Sequence, residues 1–158
     1  MTWTEVSAED PRGRELADRH YSRRAKQIGK RGYVPPGARI VLWMPGAVWS
    51  ACLNQYDGAW RWRNTIFRNE TSALSSSLIV SATWLTYDIW EERYGLPSVK
   101  LTTEIDVAAT EHRRSRRSMP GKCYQMAGWS FVEIRQRKKR KQRHAIWVAP
   151  DPALRFDR

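Results

Sequence analysis

Residues 59–94 read AWRWRNTIFRNETSALSSSLIVSATWLTYDIWEERY, and a change of period inside this stretch decides the fold class. From Ala59 to Phe67, Trp60, Trp62, Asn64 and Ile66 alternate with Arg61, Arg63 and Thr65. A period of two marks a strand with one face buried. From Ser75 to Tyr94, Leu78, Ile79, Ala82, Leu85, Ile89 and Trp90 recur at helical spacing, so a long helix follows the strand. Ser75 or Ser76 is the expected N-cap, because a short hydroxyl side chain accepts from a first-turn amide. Gly95 and Pro97 end the helix.

Upstream, Arg39–Met44 and Ala47–Leu53 are apolar runs on either side of Pro45-Gly46, which predicts a hairpin, and Asp57-Gly58 predicts the turn into the strand of residues 59–67. Gly29 to Gly37, with Gly32, Pro35 and Pro36, reads as a loop. Arg14 to Ile28 is expected to be the first helix, with Leu16, His20 and Tyr21 on neighbouring turns, and residues 1–13 are polar with little structural signal. Downstream, Val99 to Ile105 reads as a strand that ends at Asp106. Lys122 to Ala127 reads as a short helix capped by Gly128, and Trp129–Ile134 and His144–Val148 read as two closing strands. Residues 107–118 read as a polar, basic loop. The order predicts mixed α/β architecture of the α+β kind in a single domain, residues 1–158 with a core over 14–148: a mostly antiparallel central sheet flanked by helices.

The 158 residues carry a net charge of +12, and the charge is concentrated. Residues 111–143 hold twelve Lys or Arg (Arg113, Arg114, Arg116, Arg117, Lys122, Arg135, Arg137, Lys138, Lys139, Arg140, Lys141 and Arg143) against two acids, Glu111 and Glu133. Solvated surfaces mix the two signs; this segment does not, and it is expected to face nucleic acid. A basic tail or localisation signal would give the same composition, but a tail does not return to strand-like sequence as His144-Ala-Ile-Trp-Val148 does. There is no apolar run near the ~20 residues of a membrane span, and the start of the chain lacks a basic-then-apolar leader pattern. The expectation is a cytoplasmic protein with no membrane partner. Cys52 and Cys123 make neither a disulfide framework nor a zinc site, and no two of His20, His112 and His144 have metal-ligand spacing, so no metal ligands are assigned.

The element order resembles the GNAT acyltransferase fold, and Gly121-Lys-Cys-Tyr-Gln-Met-Ala-Gly-Trp129 is similar to that family's fourth-helix signature, a Tyr-containing turn followed by a Gly-aromatic pair. A narrower resemblance rests on Ala17-Asp-Arg-His-Tyr-Ser-Arg23, Pro35-Pro-Gly37, Phe67-Arg-Asn-Glu70, Ser75-Ser-Ser-Leu-Ile79, the strand ending at Asp106, Pro120-Gly-Lys-Cys-Tyr124 and Ala127-Gly-Trp129. Together they resemble the Mom-like phage and prophage DNA modification proteins. That resemblance implies transfer of a small acyl-derived group to the exocyclic amine of adenine in duplex DNA, an anti-restriction modification, with the base flipped out of the stack.

The resemblance implies roles as well. His20, Asp106 and Tyr124 are the candidate catalytic residues: His20 to move a proton or orient the acceptor base, Asp106 to take a proton from the attacking amine, and Tyr124 to protonate a leaving thiolate. Each has a plainer reading, as a helix-surface histidine, a turn aspartate and a cleft-wall tyrosine. Arg68, Asn69, Ser75 and Ser76 are the candidates to hold the donor, at a helix N-terminus that offers free N–H groups to phosphate. The segment departs from typical acetyltransferases, which carry a Gly-rich loop there; residues 68–76 contain no glycine. The donor is therefore left open between acetyl-CoA and another acyl donor. Trp60, Trp62 and Trp129 are candidates to stack on an extruded base. Glu70 is expected to cap or to pair with Arg68. The competing reading is a non-catalytic nucleic-acid-binding protein with the same fold.

Overall fold

The computed structural model describes residues 2–111, 119–136 and 141–157. Its strands are β1 (Thr4–Val6), β2 (Ala38–Met44), β3 (Ala47–Tyr56), β4 (Ala59–Asn69), β5 (Leu101–Asp106), β6 (Ser130–Gln136) and β7 (Arg143–Val148), and its helices are α1 (Pro11–Asp18), α2 (Ser75–Tyr94) and α3 (Lys122–Met126). The seven strands form one sheet in the order β1-β2-β3-β4-β5-β7-β6. Every neighbouring pair is antiparallel except β4 with β5. That parallel pair requires a crossover, which α2 supplies. Among the described residues no helix is long and apolar enough to cross a membrane.

α2 packs its buried side, including Ile79, Ala82, Tyr87 and Trp90, onto the face of the sheet presented by Leu42, Trp49, Trp62 and Trp147. Indole N–H groups need acceptors when buried, and two threonines of α2 provide them: Trp49 Nε1 donates to Thr86 Oγ1 at 3.0 Å and Trp129 Nε1 to Thr83 Oγ1 at 3.3 Å. The opposite face is covered by α1 over β2–β4, around Leu16, Ala17, Val41, Val48 and Ile66. Of the alternation read in residues 59–67, Trp62, Asn64 and Ile66 are buried and Arg61, Arg63 and Thr65 partly exposed, but Trp60, expected on the buried phase, is 55% exposed, and Ile66 packs on the α1 side of the sheet while Trp62 packs under α2.

The first helix differs from its expected span. Helix α1 begins at Pro11, where Asp10 accepts from the backbone amides of Arg12 (2.9 Å) and Gly13 (3.4 Å), and it ends at Asp18. The helical pattern beyond is overridden by the Asp18 carboxylate. It accepts from the Arg23 guanidinium at 3.0 Å and from the Gly29 amide at 2.8 Å, folding residues 19–29 into a loop with one short 3₁₀ turn at Ala25–Gln27. His20 therefore lies beyond the helix, in a turn. The polar N-terminal stretch also contributes β1, which the sequence pattern did not reveal. At α2 the cap is Leu74, with no side-chain capping bond, so neither Ser75 nor Ser76 is the N-cap.

Gly121 fixes the entry to α3. Its φ is +89°, and a Cβ there would lie 2.5 Å from Trp147 Nε1 and 2.7 Å from Ile105 Cδ1. Only glycine lets the chain pass this close to β5 and β7. The Trp147 indole donates to Pro120 O at 2.9 Å, tying the same turn to the sheet.

Candidate active site

The site is built where the sheet parts. β4 and β5 are paired only from Trp62–Leu101 to Asn64–Thr103, and beyond these residues the two strands diverge around a cavity of about 620 Å³. Its walls include Asn64, Thr65 and Phe67 from β4, Thr103, Glu104 and Asp106 from β5, residues 20–22 after α1, residues 121–124 of α3 and its approach, and His144 of β7.

Asn64 holds the apex. Between Ser50 and Ala51 the β3–β4 register slips, and Thr65 is the additional residue of a β-bulge. The Asn64 amide spans it, donating to Ser50 O at 2.9 Å and Ile66 O at 3.0 Å. Its carbonyl oxygen accepts from Tyr124 Oη at 2.6 Å and Thr103 Oγ1 at 3.2 Å. One buried side chain thus ties β3, β4, β5 and α3 together at the closed end of the cleft. Tyr124, buried against Phe67 and Trp129, has its phenol pushed well above the ordinary range by burial. It keeps its proton at any physiological pH. Burial likewise raises the neighbouring Cys123 thiol.

Asp106 closes β5 on the cleft wall, opposite His144 of β7. Its Oδ1 accepts from the Ala109 amide at 2.9 Å, the expected turn bond, and that bond orients the carboxylate without using Oδ2. Glu104 lies two residues earlier and so on the same side of the strand. His20 stacks on Tyr21 at 4.3 Å between ring centroids. Its Nδ1 accepts from the Ser22 amide at 3.2 Å and lies 2.7 Å from Ser22 Oγ. A neutral ring whose Nδ1 accepts carries its proton on Nε2.

His20, Asp106 and Tyr124 thus share one cavity. Arg68, Asn69, Ser75 and Ser76 do not line it. Arg68 bonds Glu70 Oε1 at 2.8 Å and Arg19 O at 2.7 Å. Glu70 also binds the Arg19 guanidinium at 2.8 Å; these cations, Arg19 foremost, hold the Glu70 carboxyl down to about 2. The Asn69 amide donates to Ala73 O (2.8 Å) and Ser75 Oγ (3.2 Å) and accepts from Thr71, so it braces the loop before α2. Trp62 and Trp129 are buried core and cannot stack on a base; Trp60 is exposed but does not line the cavity. Of the basic residues, Arg135 pairs with Glu133 at 2.6 Å, and Lys141 and Arg143 are exposed. Arg113, Arg114, Arg116, Arg117, Arg137, Lys138, Lys139 and Arg140 lie outside the described residues.

Sequence reading did not single out Asn64, Thr103, Glu104, Ser22 or His144. One signal was available: Asn64 is the polar residue on the apolar phase of its strand, between Trp62 and Ile66.

Neither protein-family models nor curated protein sequences give a match. A solved structure of similar fold is the aminoglycoside 6′-N-acetyltransferase from Enterococcus faecium, which aligns over 96% of this chain and 99% of its own with a TM-score of 0.60 at 12% identity. At that identity the likeness is one of fold: this chain has a mixed α/β, GNAT-like fold.

Proposed function

We propose that the protein transfers a small acyl-derived group to an amine in the β4–β5 cleft, and that the acceptor is the exocyclic amine of adenine in DNA, as in the Mom-like proteins it resembles. The observation that carries the reading is the convergence of Asp106, His20 and Tyr124 on one cavity at the point where the central strands part. An acyl donor supplies the activated carbonyl carbon to which the amine nitrogen bonds. The diverging strands fit the acyl end of such a donor, with Phe67 on one wall and residues 121–124 on the other. The phosphate end has α2's uncapped N-terminus available but no glycine in residues 68–76, so the donor class stays open between acetyl-CoA and another acyl carrier.

In this reading Asp106 accepts the amine proton at Oδ2 while Ala109 holds Oδ1. His20 donates from Nε2 to the acceptor base and orients it. As the C–N bond forms, the bond between the acyl carbon and its carrier breaks, and Tyr124, whose Oη donates to Asn64 Oδ1 at 2.6 Å in the resting site, turns its proton to the departing atom. Charge favours a polyanionic acceptor: a polycationic small molecule, such as the aminoglycoside of the E. faecium enzyme's name, would meet a chain of net charge +12. The test is the mass of nucleosides from DNA of cells expressing the protein. A new modified deoxyadenosine, absent with Asp106→Asn, is expected; unmodified DNA together with binding of oligonucleotides would favour the non-catalytic reading.

A further inference from the structure

At the far end of the β3–β4 hairpin from the cleft apex, the sheet presents an aromatic ring among arginines. Tyr56, the last residue of β3, is 48% exposed. The Arg61 guanidinium sits 5.0 Å from its ring centroid and that of Arg63 5.9 Å. Arg63 also reaches Asn54 Oδ1 at 3.3 Å and lines the cleft wall. Same-side residues recur every second position along a strand, so Arg61, Arg63 and Thr65 lead from the hairpin tip to the cavity on the side that Asp106, Glu104 and residues 20–22 face. A ring in contact with two cations and half open is suited to sandwich a third planar group, and the guanidinium groups are suited to the phosphates on either side.

We propose that this Tyr56–Arg61–Arg63 track is a contact for an unpaired nucleic-acid strand: a base stacks on Tyr56, Arg61 and Arg63 take adjoining phosphates, and the strand is led towards the cleft. The inference rests on the nucleic-acid reading above and adds to it. Lys141 and Arg143 are exposed beside His144 of the cleft wall, on the β7 side of the cavity from β4.

The test uses the full-length protein and a fluorescent single-stranded DNA oligonucleotide, with affinity measured across a salt series. Tyr56→Ala should weaken binding about 5- to 100-fold, the range for losing one stacked base. Tyr56→Trp should restore it, which a merely structural tyrosine would not predict. Arg61→Gln should weaken binding and flatten the log–log salt slope by about 0.7, one phosphate on a single strand; Arg31→Gln, on an exposed arginine paired with Glu9, should leave it unchanged. Melting curves identify any variant that fails to fold, and Tyr56→Leu, which keeps bulk without the ring face, then serves in place of alanine. Normal affinity in folded Tyr56→Ala or Tyr56→Leu, with wild-type protein binding the oligonucleotide, overturns this track and leaves the DNA reading standing. No binding of DNA by wild-type protein overturns both.

Discussion

Replacing Asn64 with alanine deletes four hydrogen bonds at once, at 2.6, 2.9, 3.0 and 3.2 Å, and strands a buried phenol and two carbonyls. A buried intramolecular hydrogen bond contributes a net ~1 kcal/mol, and partners left unsatisfied cost more. The expected loss is therefore about 4 kcal/mol. For a chain of 158 residues each kcal/mol corresponds to about 2–4 °C in Tm, so the melting midpoint should fall by about 8–16 °C. Thr103→Val removes the weakest of the four and should cost about a quarter of that. Differential scanning calorimetry of the two variants, with nucleoside analysis of modified DNA, reads both consequences: in folded Asn64→Ala, Tyr124 loses its anchor and transfer should fall more than the unfolded fraction explains. A Tm change below about 4 °C for Asn64→Ala would refute the reasoning, because the apex of the cleft would then be held by something other than this side chain.

Asp106→Asn should retain the bond to the Ala109 amide and near-normal Tm while transfer falls at least about 10²-fold, the lower bound for lost general-base help; near-normal modification would remove Asp106 from the mechanism. Tyr124→Phe keeps the ring contacts with Phe67 and Trp129 but not the proton, so transfer should fall while Tm drops by only about 2–4 °C. Glu70→Gln should lower Tm at pH 7. Because Arg19 and Arg68 hold the folded-state carboxyl down to about 2, its contribution is present above the ordinary carboxylate range and lost as pH falls towards 2, so the gap to wild type should close over that interval in a pH series of melting curves. Changing Lys138, Lys139, Arg140 and Lys141 to Gln together should flatten the salt dependence of duplex binding by about three to four units, and an unchanged slope would make that run a solvated tip.

The central hairpin, the long helix and the closing strands were legible because each carries many residues of one period. α2 runs over the span its apolar spacing predicted, whereas in β4 the buried phase begins at Trp62, one step after the Trp60 where the alternation put it. What failed to show has local causes. Three residues of β1 are too few for any period. The end of α1 is decided by a carboxylate that bonds an amide eleven positions on, at Gly29, a long-range contact that no window of helical spacing contains. The cleft residues read from motif resemblance do meet in one cavity, whereas those assigned to the donor follow chain order into a loop that Asn69 and Glu70 use to brace the fold. Asn64 was visible only as an exception to its own pattern, and its four partners lie 2 to 60 residues away in the chain.

The three-residue ladder between β4 and β5 gives a single strand two kinds of backbone. From Trp62 to Asn64, β4 is hydrogen-bonded on both sides, deep inside a seven-stranded sheet. From Ile66 to Asn69 it is paired with β3 on one side only, so it has the exposure of a border strand while sitting at the centre of the sheet. Amide hydrogen exchange should record this as a sharp step within one element, slow before the bulge and faster beyond it. A ligand that seats itself between the diverging strands should abolish the step, leaving an isotopic footprint of occupancy that requires no knowledge of what the ligand is.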